Sequence, residues 1–167
     1  AVDVGDSAAV ARALVEVRAA WGPITGLVHG AGVLDDALLA DRADASGFDR
    51  VVGPKLRGLA ALLAATHADP LATIALFSSA AARAGNPGQA DYAMANETLN
   101  KVAAALARAR PDARVVALGW GPWAGGMVTP ALARHFAARG VATIAIADGA
   151  RAFVDELTAP RAPAPEV

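Results

Sequence analysis

The chain has 167 residues, 55% hydrophobic and 19% charged, with a mean hydropathy of +0.38; this length and apolar content suit one domain with a substantial core and exclude a disordered segment. Fifteen Lys and Arg against sixteen Asp and Glu give a net charge of −1 with no long run of either sign, so there is no footprint for nucleic acid or an anionic membrane. No cysteine is present, which excludes disulfides and Cys-ligated metals; no metal site is expected, and a reducing compartment is the easier setting.

Ala1-Val2-Asp3-Val4-Gly5-Asp6 lacks the basic and apolar regions of a signal peptide, which points to the cytoplasm. Asp6 or Ser7 can N-cap a helix through about Ala20, with Val10, Leu14 and Val17 on one face, and Trp21-Gly22-Pro23 stops it. Ile24 to His29 is a short apolar strand running into Gly30-Ala31-Gly32, a loop that permits close backbone approach to a ligand. Helical spacing follows from Ser46 to about Ala65, with a kink expected at Gly53-Pro54. Leu71 to Phe77 is a buried strand, Gly85 to Gly88 a turn-rich loop, Ala90 to about Ala109 a long helix, and Arg114 to Leu118 a third strand.

The uncharged stretch from Val115 to Ala133 is too rich in Gly and Pro to span a membrane. Beyond Trp120-Gly121-Pro122-Trp123 come a helix near Pro130 to Ala138, a short segment from Val141 to Ala147, and a helix near Gly149 to Leu157. Residues 159–167 alternate Pro with small residues and are expected to be an extended, solvated linker. A linker at one end and no initiator Met at the other suggest a piece of a longer polypeptide. The alternation of helix and strand predicts an α/β fold, a mainly parallel sheet with helices on both faces.

In such sheets ligands bind outside the carboxyl ends of the strands. Here those ends carry His29-Gly30-Ala31-Gly32, Ser78-Ser79 and Trp120-Gly121-Pro122, so one crevice should gather them. Tyr92, the only tyrosine, lies near the start of the long helix, and Asn96 follows by four residues on the same face. A phenol is a poor acid, but a nearby ammonium favours the phenolate and makes it a better one. Lys55 is the obvious candidate, since Lys101 is the only other lysine. A Ser, Tyr, Lys and Asn set could polarise a carbonyl and hand it a proton, work suited to hydride transfer from a nicotinamide.

The segments Leu27-Val28-His29-Gly30-Ala31-Gly32-Val33, Leu76-Phe77-Ser78-Ser79, Gly85-Asn86-Pro87-Gly88-Gln89-Ala90-Asp91-Tyr92-Ala93-Met94-Ala95-Asn96 and Gly119-Trp120-Gly121-Pro122-Trp123 resemble the ketoreductase domains of polyketide synthases, of the short-chain dehydrogenase/reductase superfamily. Asp91, Met94 and Gly125-Gly126-Met127-Val128-Thr129-Pro130 resemble the variant found in polyunsaturated-fatty-acid-synthase-like megasynthases. The resemblance runs from Asp3 to about Leu157, so residues 1–158 are expected to be a partial, Rossmann-like ketoreductase domain. It implies Tyr92 as general acid, Ser79 (thirteen residues before it) holding the substrate carbonyl, and Lys55 assisting Tyr92 and binding the nicotinamide ribose. Asn96 and Lys55 match the family's exchanged Lys and Asn arrangement.

The implied reaction is NADPH-dependent reduction of a 3-oxoacyl thioester on an acyl carrier protein to the 3-hydroxyacyl thioester. Leu34-Asp35-Asp36 resembles the tripeptide of B-type members, which set the D configuration, and Ala84 stands where A-type members carry Trp. Gln89 and Trp123 join the substrate and stereocontrol set. His29, Gly30, Ala31 and Gly32 would approach the cofactor, Asp3 and Val4 would border its adenine, and Pro122 would flank the nicotinamide. Trp120 and Trp123 could equally wall the pocket or fill core.

The family's first strands and glycine-rich turn are absent. A chain without them should expose a long apolar sheet edge and bind NADPH poorly by itself. Neighbouring synthase domains and a homodimer through the parent synthase are the implied partners. The alternatives are a catalytically incompetent structural or interaction fragment of such a synthase, and a ketoreductase that only epimerises.

Overall fold

A computed structural model describes residues 1–42, 44–160 and 164–167. The chain divides into two compact units, residues 1–119 with 164–167 and residues 120–163. In order come α1 (Ser7–Trp21), β1 (Gly26–His29), a 3-10 turn (Leu39–Asp41), α2 (Ala45–Ala65), β2 (Thr73–Ser79), a short α3 (Ala81–Ala84), α4 (Ala90–Ala109), β3 (Arg114–Trp120), α5 (Pro130–Ala138) and α6 (Ile146–Thr158). Of the expected linker over 159–167, residues 161–163 lie outside the described residues.

Local chemistry sets these boundaries in the first unit. The Asp6 carboxylate accepts from the N–H groups of Ala8 and Ala9 at 2.9 and 3.0 Å, capping α1. Gly22 ends that helix with φ of 85°, in the left-handed half of the map that favours glycine. The Arg18 guanidinium then reaches Asp69 and the Ala65 carbonyl, while Asp69 also accepts from Ile24 N–H at 3.2 Å. One ion pair thus fixes the end of α1, the end of α2 and the approach to β1. Asp44 caps α2, which is helical from Ala45 to Ala65 with Pro54 inside it.

β1, β2 and β3 form one sheet in that order, and β1 lies parallel to β2 with Gly26 opposite Thr73 and His29 opposite Leu76. The fold is Rossmann-like, a parallel sheet with helices. The crossover helices α2 and α4 pack side by side, and α1 packs on α2. Leu27, Leu59, Ile74, Leu76, Leu99 and Val115 form the centre of the core. Ile74, Ala75 and Leu76 are consecutive and wholly buried; since side chains alternate along a strand, β2 is covered on both faces.

Two expectations change. The apolar edge at β1 is short, not long: the strand has four residues, Leu27 and His29 turn inward, and Val28 alone is a large exposed apolar group, at 53%. Residues 165–167 are extended but not simply solvated. Ala117 N–H donates to Pro165 O at 2.7 Å, Val167 N–H to Ala117 O at 3.0 Å, and Gly119 N–H to Val167 O at 2.6 Å. An extended segment satisfies the backbone groups that the edge of β3 presents.

In the second unit, Trp120 and Trp123 meet edge to face with centroids 4.9 Å apart. Trp123 bridges Ile144, and α6 starts at Ile146, three residues before the expected Gly149. Gly149 is buried inside the helix because a Cβ there would lie 2.4 Å from the Trp123 ring. Gly149→Ala should therefore displace the indole and destabilise this unit by about 1–3 kcal/mol despite alanine's better helix propensity. Denaturant titration followed by tryptophan fluorescence checks this; an unchanged midpoint would show that the indole relaxes freely.

Candidate active site

The end of β1, the end of β2 and the start of α4 meet around one buried cation. Lys55, in the middle of α2, is 4% exposed, and its Nζ donates to the Phe77 carbonyl at 2.9 Å. The same Nζ lies 5.6 Å from the centroid of the Tyr92 ring, within reach of a cation–π contact. Burial pulls the ammonium down from 10.5 to about 8. On the other side of α2, the buried His29 ring sits 2.9 Å from the Lys55 carbonyl through Nε2. A carbonyl only accepts, so Nε2 carries the hydrogen. Burial, foremost, lowers the His29 pKa, which favours that neutral tautomer.

Tyr92 is half-buried, and its backbone is held from both sides. Its N–H donates to Asp91 Oδ1 at 2.8 Å, and its carbonyl accepts from Asn96 Nδ2 at 2.8 Å. Asn96 is fully buried, and its Oδ1 has no hydrogen-bond partner among the described residues. Its own carbonyl accepts from the Ser78 hydroxyl at 3.2 Å, so Ser78 ties the end of β2 to α4. Ser79 Oγ accepts from Ala81 N–H at 3.2 Å at the start of α3. No hydrogen bond joins the Ser79 and Tyr92 hydroxyls among the described residues.

The loop holding Leu34, Asp35 and Asp36 is fastened to the segment before Tyr92. Gln89 Nε2 donates to both Asp36 oxygens at 3.0 and 2.9 Å, and Gln89 Oε1 accepts from Asn86 Nδ2 at 3.0 Å. Ala37 N–H donates to Gly88 O at 2.9 Å. Asp35 takes Arg50 at 2.7 Å and Arg42 at 3.1 Å, and these two guanidinium groups, Arg50 first, hold its carboxyl below the usual range. Arg42 escaped the sequence reading, because nothing in its spacing marks it.

Of the residues expected near a cofactor, Gly30 is exposed and Ala31 and Gly32 are half-buried in the coil after β1. The His29 side chain is turned away into the core. Asp3 lines a cleft of about 300 Å³ with Asp49, Arg50, Pro54 and Arg57, and neither Lys55 nor Tyr92 borders it. Val4 packs on Gly58, where a Cβ would come within 2.8 Å of its Cγ2. Pro122 and Trp123 belong to the second unit. The donor set suits a nicotinamide ribose: an ammonium has three N–H donors, and Lys55 spends one on Phe77. Among the described residues no group of three metal-ligating side chains occurs, and no helix is long and apolar enough to cross a membrane.

A parallel sheet with helices, the buried Lys55 of α2 and Tyr92 of α4 beside the serines that end β2, defines a Rossmann-like fold. The KR domain family matches residues 1–125, and the chain belongs to that family. It is 43% identical over 89% of its length to a polyunsaturated fatty acid synthase polypeptide of Thraustochytrium sp., and 41% identical over 97% to the spectinabilin polyketide synthase system protein NorB of Streptomyces orinoci. The chain spans 5% and 8% of those relatives' lengths. A solved ketoreductase from the first module of phoslactomycin biosynthesis in Streptomyces sp. HK803 superimposes with a TM-score of 0.87 at 31% identity, over 99% of this chain and 38% of that one.

Lys55 carries a measurable cost. Its folded-state value of about 8 lies below 10.5, so the unfolded chain binds the proton more tightly and stability rises with pH between the two values. At about 1.4 kcal/mol per pKa unit, wild type should gain roughly 3 kcal/mol relative to Lys55→Met between pH 8 and 10.5. Paired denaturant titrations across that window check it, and parallel pH profiles would refute the burial of the charge.

Proposed function

We propose that the chain is the catalytic portion of a B-type ketoreductase that reduces a 3-oxoacyl thioester, carried on an acyl carrier protein, to the D-3-hydroxyacyl thioester with NADPH. The observation that carries this reading is the buried Lys55 ammonium against the Tyr92 ring, with N–H donors unspent among the described residues. Bound NADPH supplies the hydride that the carbonyl carbon takes up. The chain supplies the rest: Ser79 donates to the substrate carbonyl oxygen and orients it, and Tyr92 Oη delivers the proton to that oxygen as negative charge builds there. Lys55 binds the ribose and stabilises the phenolate that remains.

Asn96 holds the Tyr92 backbone in place through its Nδ2. Gly30, Ala31 and Gly32 border the cofactor, and Asp3 and Val4 its adenine end. Leu34, Asp35, Asp36 and Gln89 shape the acyl side and choose the carbonyl face. Neighbouring synthase domains deliver the carrier protein, the cytoplasm is the setting, and a homodimer forms through the parent synthase.

The full-length polypeptide that carries this sequence, given a 3-oxoacyl thioester and NADPH, should yield the D-3-hydroxy product. Tyr92→Phe should lower kcat by about 10²- to 10⁴-fold, the range general acids contribute. Activity should also fall above about pH 8, as Lys55 loses its proton. Full turnover by Tyr92→Phe, or an L product from wild type, would overturn the roles assigned.

A further inference from the structure

We infer that Arg42 is a positioning residue that sets product stereochemistry by locking the Asp35-Asp36 loop to the backbone of Tyr92; the inference rests on the function proposed above. Arg42 follows the 3-10 turn, and its side chain is 10% exposed. Nη2 lies 2.5 Å from Asp91 Oδ2 and donates to the Asp35 carbonyl at 2.5 Å, while Nη1 donates to Asp35 Oδ2 at 3.1 Å. Asp91 is only 2% exposed at its side chain, and its other oxygen accepts the Tyr92 N–H. One planar fork therefore connects the loop to the residue that anchors Tyr92. The contact with Asp91 Oδ2 is one of charge, not a directed hydrogen bond, and Arg42 Nε has no hydrogen-bond partner among the described residues.

The site is built to hold this guanidinium. Gly47, buried in the first turn of α2, leaves the space that Nη1 fills: a Cβ there would lie 2.0 Å from Nη1 and 3.3 Å from Asp35 Oδ2. Two further links run parallel, Gln89 to Asp36 and Ala37 N–H to Gly88 O. Arg42 is the member that reaches both the loop and Asp91. Removing it leaves Asp91 as a buried, unpaired carboxylate beside the general acid, an expensive arrangement that the segment relieves by moving. Lysine is a single point charge and cannot reproduce the fork.

The test compares Arg42→Met, Arg42→Lys and Arg18→Met in the full-length polypeptide that carries this sequence. Arg18→Met removes a different ion pair of the same unit, that with Asp69, and serves as the control for general destabilisation. With a 3-oxobutanoyl thioester and NADPH, the minor enantiomer should rise roughly tenfold in Arg42→Met, within the range of coupling between contacting groups, less in Arg42→Lys, and not in Arg18→Met. Hydrogen exchange at the Ala37 and Tyr92 amides should quicken in the Arg42 variants alone. An unchanged enantiomer ratio in an active, folded Arg42 variant overturns the inference, as does an equal shift in Arg18→Met. If Arg42→Met does not fold, Arg42→Lys decides by the same two readouts. A wild type that forms no hydroxy product sinks the proposed function instead, and unchanged exchange at both amides then sinks the clamp by itself.

Discussion

A lysine ammonium buried between three elements organises this protein. Lys55 Nζ bonds the Phe77 carbonyl at the end of β2 and faces the Tyr92 ring at the start of α4, while the Lys55 carbonyl takes the His29 ring at the end of β1. Burying a charge on this scale opposes folding, and it persists only because the surrounding packing over-determines the position. Gly58, one turn along α2, lets the helix lie against Val4 and His29, where a Cβ would meet both. Close approach of α2 to the strand ends is what carries the ammonium inward.

The same constraint explains the composition of α4. Its buried stripe runs Asp91, Ala95, Asn96, Leu99, Asn100 and Ala103, at helical spacing. The apolar members seat the helix on β2. The polar ones hold the backbone: Asp91 takes the Tyr92 N–H, Asn96 takes the Tyr92 carbonyl, and Ser78 takes the Asn96 carbonyl. Tyr92 thus has a fixed main chain, held at its N–H by Asp91 and at its carbonyl by Asn96, within a half-buried residue.

Much of this was legible in the sequence. Strands β1, β2 and β3 appear as short apolar runs, and α1, α2 and α4 as 3.6-residue periodicities, because burial imposes those patterns directly. Ser78-Ser79 was legible as a polar strand end, and the structure shows the Ser78 hydroxyl donating to the Asn96 carbonyl. The failures have physical causes. Gly149 suggested a helix start, yet it lies inside α6 because the Trp123 ring occupies the space of its Cβ. Residues 165–167 looked like a solvated tail, yet they pair with β3. Both depend on a neighbour remote in sequence.

By itself, the sequence determined the α/β alternation, the family's motifs and the spacing of Ser79, Tyr92, Asn96 and Lys55, since these are written in periodicity and in residue type at fixed intervals. Only the tertiary structure decided what those residues touch. That Asn96 turns back onto the Tyr92 backbone, that His29 serves the Lys55 carbonyl, and that Arg42 reaches Asp35 and Asp91 through the room left by Gly47 all depend on contacts between different elements. Hydrophobic period fixes which face of an element is buried, but the partner of a buried polar group is chosen by geometry across the sheet ends, which no local pattern encodes.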